Sequence, residues 1–214
     1  MAAIETVAAG GDLRKALAPF FAPPRDPVLV DLPELGYLMI DGKGAPDQGA
    51  TYPETDFQRA FAALFPVVYT IKFRLKRDGV AMPILPLEAL WFTAADASFD
   101  AYRPQDEWGW RAMLAVSDDV TTAVFADAVA EVRRKKGDSN ELDRLRFERW
   151  REGRCAQVMH VGPYSEELPT IERLHAFIAE RGLRPRGPHH EIYLGDPRRA
   201  DPARLKTVLR QPVE

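Results

Sequence analysis

One order of segments occurs twice along the chain. An extended stretch ends in a glycine-containing turn at Tyr37-Leu38-Met39-Ile40-Asp41-Gly42 and again at Gln157-Val158-Met159-His160-Val161-Gly162. Each is followed by a segment whose apolar residues recur at helical spacing. Next comes an extended segment centred on a carboxylate, Leu87-Glu88-Ala89-Leu90-Trp91-Phe92 or His190-Glu191-Ile192-Tyr193-Leu194, and then a last one, Arg111 to Val116 or Thr207 to Val213. Two units of this kind bury their apolar faces together. The expected fold is therefore α+β: duplicated strand-helix-strand-strand modules with an antiparallel sheet and a ligand groove between the halves, Glu88 and Glu191 holding equivalent places.

Local signals set the boundaries. Residues 1–26 read as a variable N-terminal leader in which Leu13, Leu17, Phe20 and Phe21 can pack as a short helix. Residues 27–117 form the first module, 118–136 a connecting helix and 141–214 the second module. In the first, Phe61, Leu64, Val68, Ile71 and Leu75 make one buried helical stripe, and Pro66 is expected to kink or split that helix because it lacks an amide donor. Val67, Tyr69, Ile71, Phe73 and Leu75 also alternate as a strand would. Thr121 or Asp118 is available to cap the connecting helix. Glu152-Gly153 reads as a hairpin turn between Leu145–Trp150 and Cys155–Val161. The last helix begins near Ser165, a capping residue, with Pro169 in its tolerant first turn and Gly182 at its end.

Composition closes off several classes of function. Twenty-nine basic and 32 acidic side chains give a formal charge of -3, so the overall field does not favour direct nucleic-acid binding, even with the local runs Lys72 to Arg77 and Arg133 to Lys136. Cys155 is the only cysteine, which excludes an internal disulfide and a multi-cysteine zinc site. His189 and His190 point oppositely on a strand, and neither His160 nor His175 stands at ligand spacing, so no metal is expected. No glycine-rich phosphate loop is present, and no cofactor is expected. No apolar run approaches the roughly 20 residues of a membrane span, and the first residues do not read as an export signal. A cytoplasmic protein acting on a small molecule fits, and the oligomeric state is not legible.

The chemistry-bearing candidates cluster on the strands. A carboxylate at Glu191, between apolar and aromatic neighbours, costs free energy unless a donor, water or ligand compensates it. Alternation puts Glu191 on one face with Tyr193, where it either pairs with an arginine or meets a ligand. Glu88 shares a face with Leu90 and Phe92, away from Trp91, and suits finishing a strand or capping a neighbouring element better than a pocket role. Tyr164 follows the rigid Gly162-Pro163 bend and either faces a groove or staples the turn to the next helix. Trp108 and Trp110 can face one side as an aromatic wall, or fill the core.

Three ordered segments carry a resemblance: His160-Val161-Gly162-Pro163-Tyr164, Thr170-Ile171-Glu172-Arg173-Leu174, and Gly187-Pro188-His189-His190-Glu191-Ile192-Tyr193-Leu194-Gly195-Asp196-Pro197. Over Pro27 to Val213 the chain resembles the GyrI-like small-molecule-binding superfamily, whose pocket is shared with drug-sensing effector domains. The resemblance implies a duplicated fold with a pocket-facing glutamate at Glu191 and aromatic walls. The ligand-binding set then comprises Glu191, Tyr164, Tyr193, Trp91, Trp108, Trp110 and Tyr37. The segments Tyr69 to Phe73, Pro86 to Phe92 and Trp108 to Trp110 are similar to a stand-alone branch. Some of its members resemble hydrolases that open the cyclopropane of DNA-alkylating cyclopropanoid natural products, which would give catalytic roles to Glu191, Tyr164 and Glu88. The expected function is binding of aromatic, lipophilic or cationic compounds for sensing, sequestration or resistance. Cyclopropane hydrolysis and a protein-interaction or gyrase-modulating adaptor role are the alternatives.

Overall fold

The computed structural model describes residues 13–46, 55–93, 102, 104 and 107–214. Helix α1 (Leu13–Phe21) leads into strand β1 (Val28–Lys43), helix α2 (Asp56–Arg77) and strands β2 (Leu87–Thr93) and β3 (Trp108–Val116). Helices α3 (Thr122–Lys136) and α4 (Asn140–Arg144) connect to strand β4 (Arg146–Val161). A 3-10 turn (Tyr164–Glu166), helix α5 (Leu168–Glu180), strand β5 (His189–Tyr193), a second 3-10 turn (Pro202–Arg204) and strand β6 (Lys206–Pro212) complete the chain. The strands are antiparallel throughout and close into a barrel in the order β1-β3-β2-β5-β6-β4. The fold is thus α+β, a closed antiparallel barrel with flanking helices. Two seams join the N-terminal strands to the C-terminal ones, β1 with β4 and β2 with β5.

Two expectations are corrected, one by a long strand and one by a long helix. Glu152 and Gly153 do not reverse the chain: β4 runs straight through them, with Gly153 opposite Leu32 and Arg154 opposite Asp31. The glycine serves a different purpose. Its φ of +75° is a left-handed conformation that only glycine adopts cheaply, and it shifts the alternation of the strand. Buried positions on β4 pass from Glu152 to Cys155 and Gln157, and on β1 from Val30 and Leu32 to Leu35, Tyr37 and Met39. Likewise Pro66 does not split α2, which continues over 22 residues. Its start is fixed by a capping box in which Thr55 accepts from the Gln58 amide and the Gln58 side chain accepts from the Thr55 amide.

The barrel has two apolar faces. By register, Leu38, Ile40, Ala89, Trp91, Trp110, Ala112 and Leu114 share one face, and they form a core with the buried stripe of α2 and with Ala128 and Val132 of α3. That face is the outside. The other face, with Tyr37, Met39, Leu90 and Met113, lines the lumen, and Leu13, Leu17 and Phe20 of α1 pack into the same cluster. Helix α1 therefore plugs the barrel. Helix α5 covers a third cluster on the outer face around Ala156, Val158 and Leu209. Close approach matters at Gly42, where a Cβ would stand 2.1 Å from the Trp110 ring, so the indole lies directly on the β1 backbone. No helix among the described residues is long and apolar enough to cross a membrane.

Candidate functional site

The outer face of the β2–β5 seam gathers most of the candidates. Register places Ala89 opposite Glu191, Trp91 opposite His189 and Leu87 opposite Tyr193, so Trp91, Glu191 and Tyr193 project to one side. The Glu191 side chain is only 13% exposed. Tyr193 donates its hydroxyl to Glu191 Oε2 at 2.7 Å, and the Trp91 indole N–H donates to that hydroxyl oxygen at 3.2 Å. Trp108 meets Trp91 edge-on at 5.7 Å, and Tyr164 meets Tyr193 edge-on at 5.6 Å. Aromatic rings and a carboxylate thus form one connected cluster.

A second carboxylate joins them. Glu167 stands at the N-terminus of α5, but its side chain makes no cap bond. It is buried, and its Oε1 finds no hydrogen-bond partner among the described residues. Burial pushes both carboxyls above their usual range, because a low-dielectric setting disfavours the charged form. At Glu167 repulsion from Glu191 adds to burial, partly offset by the Thr207 hydroxyl. At Glu191 the donors Tyr193 and Trp91 and the positive His190 partly offset it. Glu191 is therefore the more acidic member, and at neutral pH Glu167 is the better place for a proton. Burial also raises the Tyr164 phenol, with Glu167 and Glu191 contributing. His189 lies with its Nε2 3.7 Å from Glu191 Oε1. Burial lowers it to about 3, with help from His175 and His190, so it sits beside the carboxylate as a neutral ring.

Glu88 and Tyr37 lie on the other side of the sheet. Glu88 pairs with Ile192 and Glu191 with Ala89, and this one-residue offset sends the two carboxylates to opposite faces. They do not hold the equivalent places expected of them. Inside the barrel, His190 is clamped between two carboxylates, Nδ1 2.8 Å from Glu152 Oε1 and Nε2 3.0 Å from Glu88 Oε2. Arg210 donates to Glu152 Oε2 at 3.0 Å, to Gln157 Oε1 at 3.1 Å and to the Phe20 carbonyl at 3.0 Å. Gln157 donates to the Pro19 carbonyl at 3.2 Å, so the network also caps the C-terminal end of the plug helix. The facing cations hold the Glu152 carboxyl down at about 2 against burial, and the carboxylates raise His190 against burial. Tyr37, beside Trp150 at 5.8 Å, lies in this lumen. Trp110 packs edge-on against Phe57 at 5.1 Å under α2, fully buried. Among the described residues no group of three or more His, Cys, Asp or Glu is arranged to hold a metal ion.

Residues 113–214 match the model of the GyrI-like small molecule binding domain. Over 94% of this chain and 98% of the other, an uncharacterized conserved protein from Listeria innocua is 39% identical, with a TM-score of 0.84. A hydrolase encoded by lin2189 of the same organism is 38% identical over the same shares, with a TM-score of 0.80. The chain belongs to this GyrI-like family. The C-terminal domain of EcmrR, 15% identical over 88% of this chain and 97% of that one, has the same fold at a TM-score of 0.54. No curated protein matches the chain.

Two features of this GyrI-like protein escape sequence reasoning. Glu167 looks like an ordinary acidic residue at a helix start, where the dipole favours it; only the fold shows that its side chain turns away from the amides. Glu152 looks like turn chemistry because a glycine follows it. The one usable signal was Arg210, a cation inside the apolar run Thr207 to Val213, which requires a buried counter-charge.

Proposed function

We propose that this protein is a hydrolase that opens the strained cyclopropane of DNA-alkylating cyclopropanoid compounds, with Glu191 as the acid–base group. One observation carries the reading. A carboxylate almost withdrawn from water is held by a tyrosine hydroxyl at 2.7 Å, among aromatic rings and next to a second buried carboxyl. Two carboxyls pushed apart in acidity are what paired acid and base work requires. The two similar Listeria structures described as hydrolases, 36% and 38% identical, support the same reading.

In the proposed step the Glu191 carboxylate takes a proton from water as the water oxygen bonds to a cyclopropane carbon. The ring carbon–carbon bond breaks, and its electron pair passes through the conjugated ring system to the oxygen that becomes a phenolate. That oxygen receives a proton from the Glu167 carboxyl, relayed or assisted by the Tyr164 hydroxyl. Trp91, Trp108 and Tyr193 would stack or flank a flat, fused-ring substrate. The site would lie on the seam between the two halves of a duplicated unit, each half a strand, a helix and two strands. Glu191→Gln is expected to retain binding of such a compound, followed by tryptophan fluorescence, while turnover falls by two orders of magnitude or more, about the usual share of general acid–base catalysis. Equal, small effects on both would remove Glu191 from the site.

A second reading, capture of a lipophilic or cationic compound without turnover, has the small-molecule-binding family model over residues 113–214 in its favour. Saturable binding with no product across cyclopropanoid analogues would establish it in place of hydrolysis.

A further inference from the structure

We infer that His190 is a positioning residue: its imidazolium, clamped inside the barrel between Glu88 and Glu152, fixes the aim of Glu191 on the outer face and keeps it ionised. The inference rests on Glu191 being the acid–base group proposed above.

The geometry makes the imidazole a cation. Nδ1 hydrogen-bonds Glu152 Oε1 at 2.8 Å, and Nε2 stands 3.0 Å from Glu88 Oε2, within ion-pair distance though outside hydrogen-bond geometry, so the ring is flanked by carboxyl oxygens on both edges and its protonated form is favoured. Arg210 is the lumen's second cation, 3.0 Å from Glu152 Oε2, so Glu152 bridges the two. Tyr37 from β1, the Trp150 ring at 6.3 Å and the α1 carbonyls complete its surroundings.

The clamp reaches Glu191 through the strand. At five residues β5 is the shortest of the described strands, and His190 links it across the lumen to Glu152 on β4 and Glu88 on β2. Adjacent strand residues share a peptide and point to opposite faces, so a fixed His190 fixes the Cα–Cβ direction of Glu191. The same arrangement puts a positive charge behind the carboxylate with protein, not water, between them. The groups facing Glu191 on its own side are Tyr193, Trp91, Tyr164, Glu167 and His189. Of these the first three are neutral donors or rings, Glu167 is neutral while it holds its proton and repels when ionised, and His189 is held neutral by burial. Asp196, paired with Arg198, is an anion that acts on Tyr164. Among these neighbours His190 supplies the positive charge.

The test reads Glu191 directly and needs no substrate. Carbon-13 NMR of glutamate-labelled protein follows the Glu191 carboxyl, assigned by its loss in Glu191→Gln, in the parent and in folded His190→Gln and Glu88→Gln variants. His190→Gln is expected to move the Glu191 midpoint upward by about one pH unit, the size of a nearby charge effect. Glu88→Gln disturbs the same lumen but leaves the Glu152–imidazolium pair, and should move it by much less. If His190→Gln fails to fold, Glu152→Gln removes the partner that keeps the ring charged and should give the same upward shift. A Glu191 midpoint unmoved by loss of the imidazolium, or moved equally by Glu88→Gln, overturns the inference. A parent midpoint at the ordinary carboxylate position instead overturns the acid–base assignment itself.

Discussion

Glu152→Gln probes the barrel interior most cleanly, because Glu152 bridges His190 and Arg210 while itself only 2% exposed. Its carboxyl is held at about 2 against an ordinary 4.5. That gap is worth about 3 kcal/mol at about 1.4 kcal/mol per unit. A depressed folded-state value stabilises above pH 4.5, and the contribution is lost as pH falls toward 2, because the unfolded chain takes up its proton first. At pH 7 the substitution leaves the buried Arg210 without its carboxylate and His190 without the partner that keeps it charged, and is expected to cost about 3–5 kcal/mol. Urea unfolding at a series of pH values, followed by tryptophan fluorescence, reads both quantities. Parent and variant curves should converge by about 3 kcal/mol between pH 4.5 and 2, since the other acidic groups titrate in both. Parallel acid slopes, or a cost at pH 7 under about 1 kcal/mol, would refute the claim that this carboxylate carries the network.

Three further outcomes follow from particular contacts. Gly42→Ala should lower stability by about 1–3 kcal/mol, measured by thermal unfolding, because the added methyl meets the Trp110 ring at 2.1 Å and the indole is pinned under α2. Leu17→Ala should cost about 2–5 kcal/mol in the same assay if α1 is a true plug of the lumen, and almost nothing if it is a loose leader. For hydrolysis, the dependence of kcat/KM on pH should be bell-shaped, with its acidic limb well above 4.5, because burial raises both Glu191 and Glu167. A profile flat from pH 5 upward would separate those carboxyls from the chemistry.

Much of the fold was legible because it is written in periodicity. The stripe Phe61, Leu64, Val68, Ile71 and Leu75 gave α2, and Thr121 does cap α3 through the Val124 amide. The barrel closure was not legible, since it depends on which edges pair, β1 with β4 and β2 with β5, and no local pattern encodes that. The misplaced hairpin has the same origin: a glycine of positive φ can end a strand or re-phase one, and only the partner strand decides. At the site, alternation correctly put Glu191 with Tyr193 and apart from His190. It could not place Glu167, whose role depends on a side chain turning away from its own helix, nor show that Trp110 is confined to the α2 core while Trp91 joins that core, at Phe57, to Trp108 at the seam.

The most direct test is hydrolysis in oxygen-labelled water with a cyclopropanoid alkylating compound, read by mass spectrometry of the product. The account predicts a product heavier than the substrate by one water, carrying one labelled oxygen, formed by the parent protein and not by a Glu191→Gln variant that still binds the compound. Product formed equally by both proteins, or binding without any product, would contradict it.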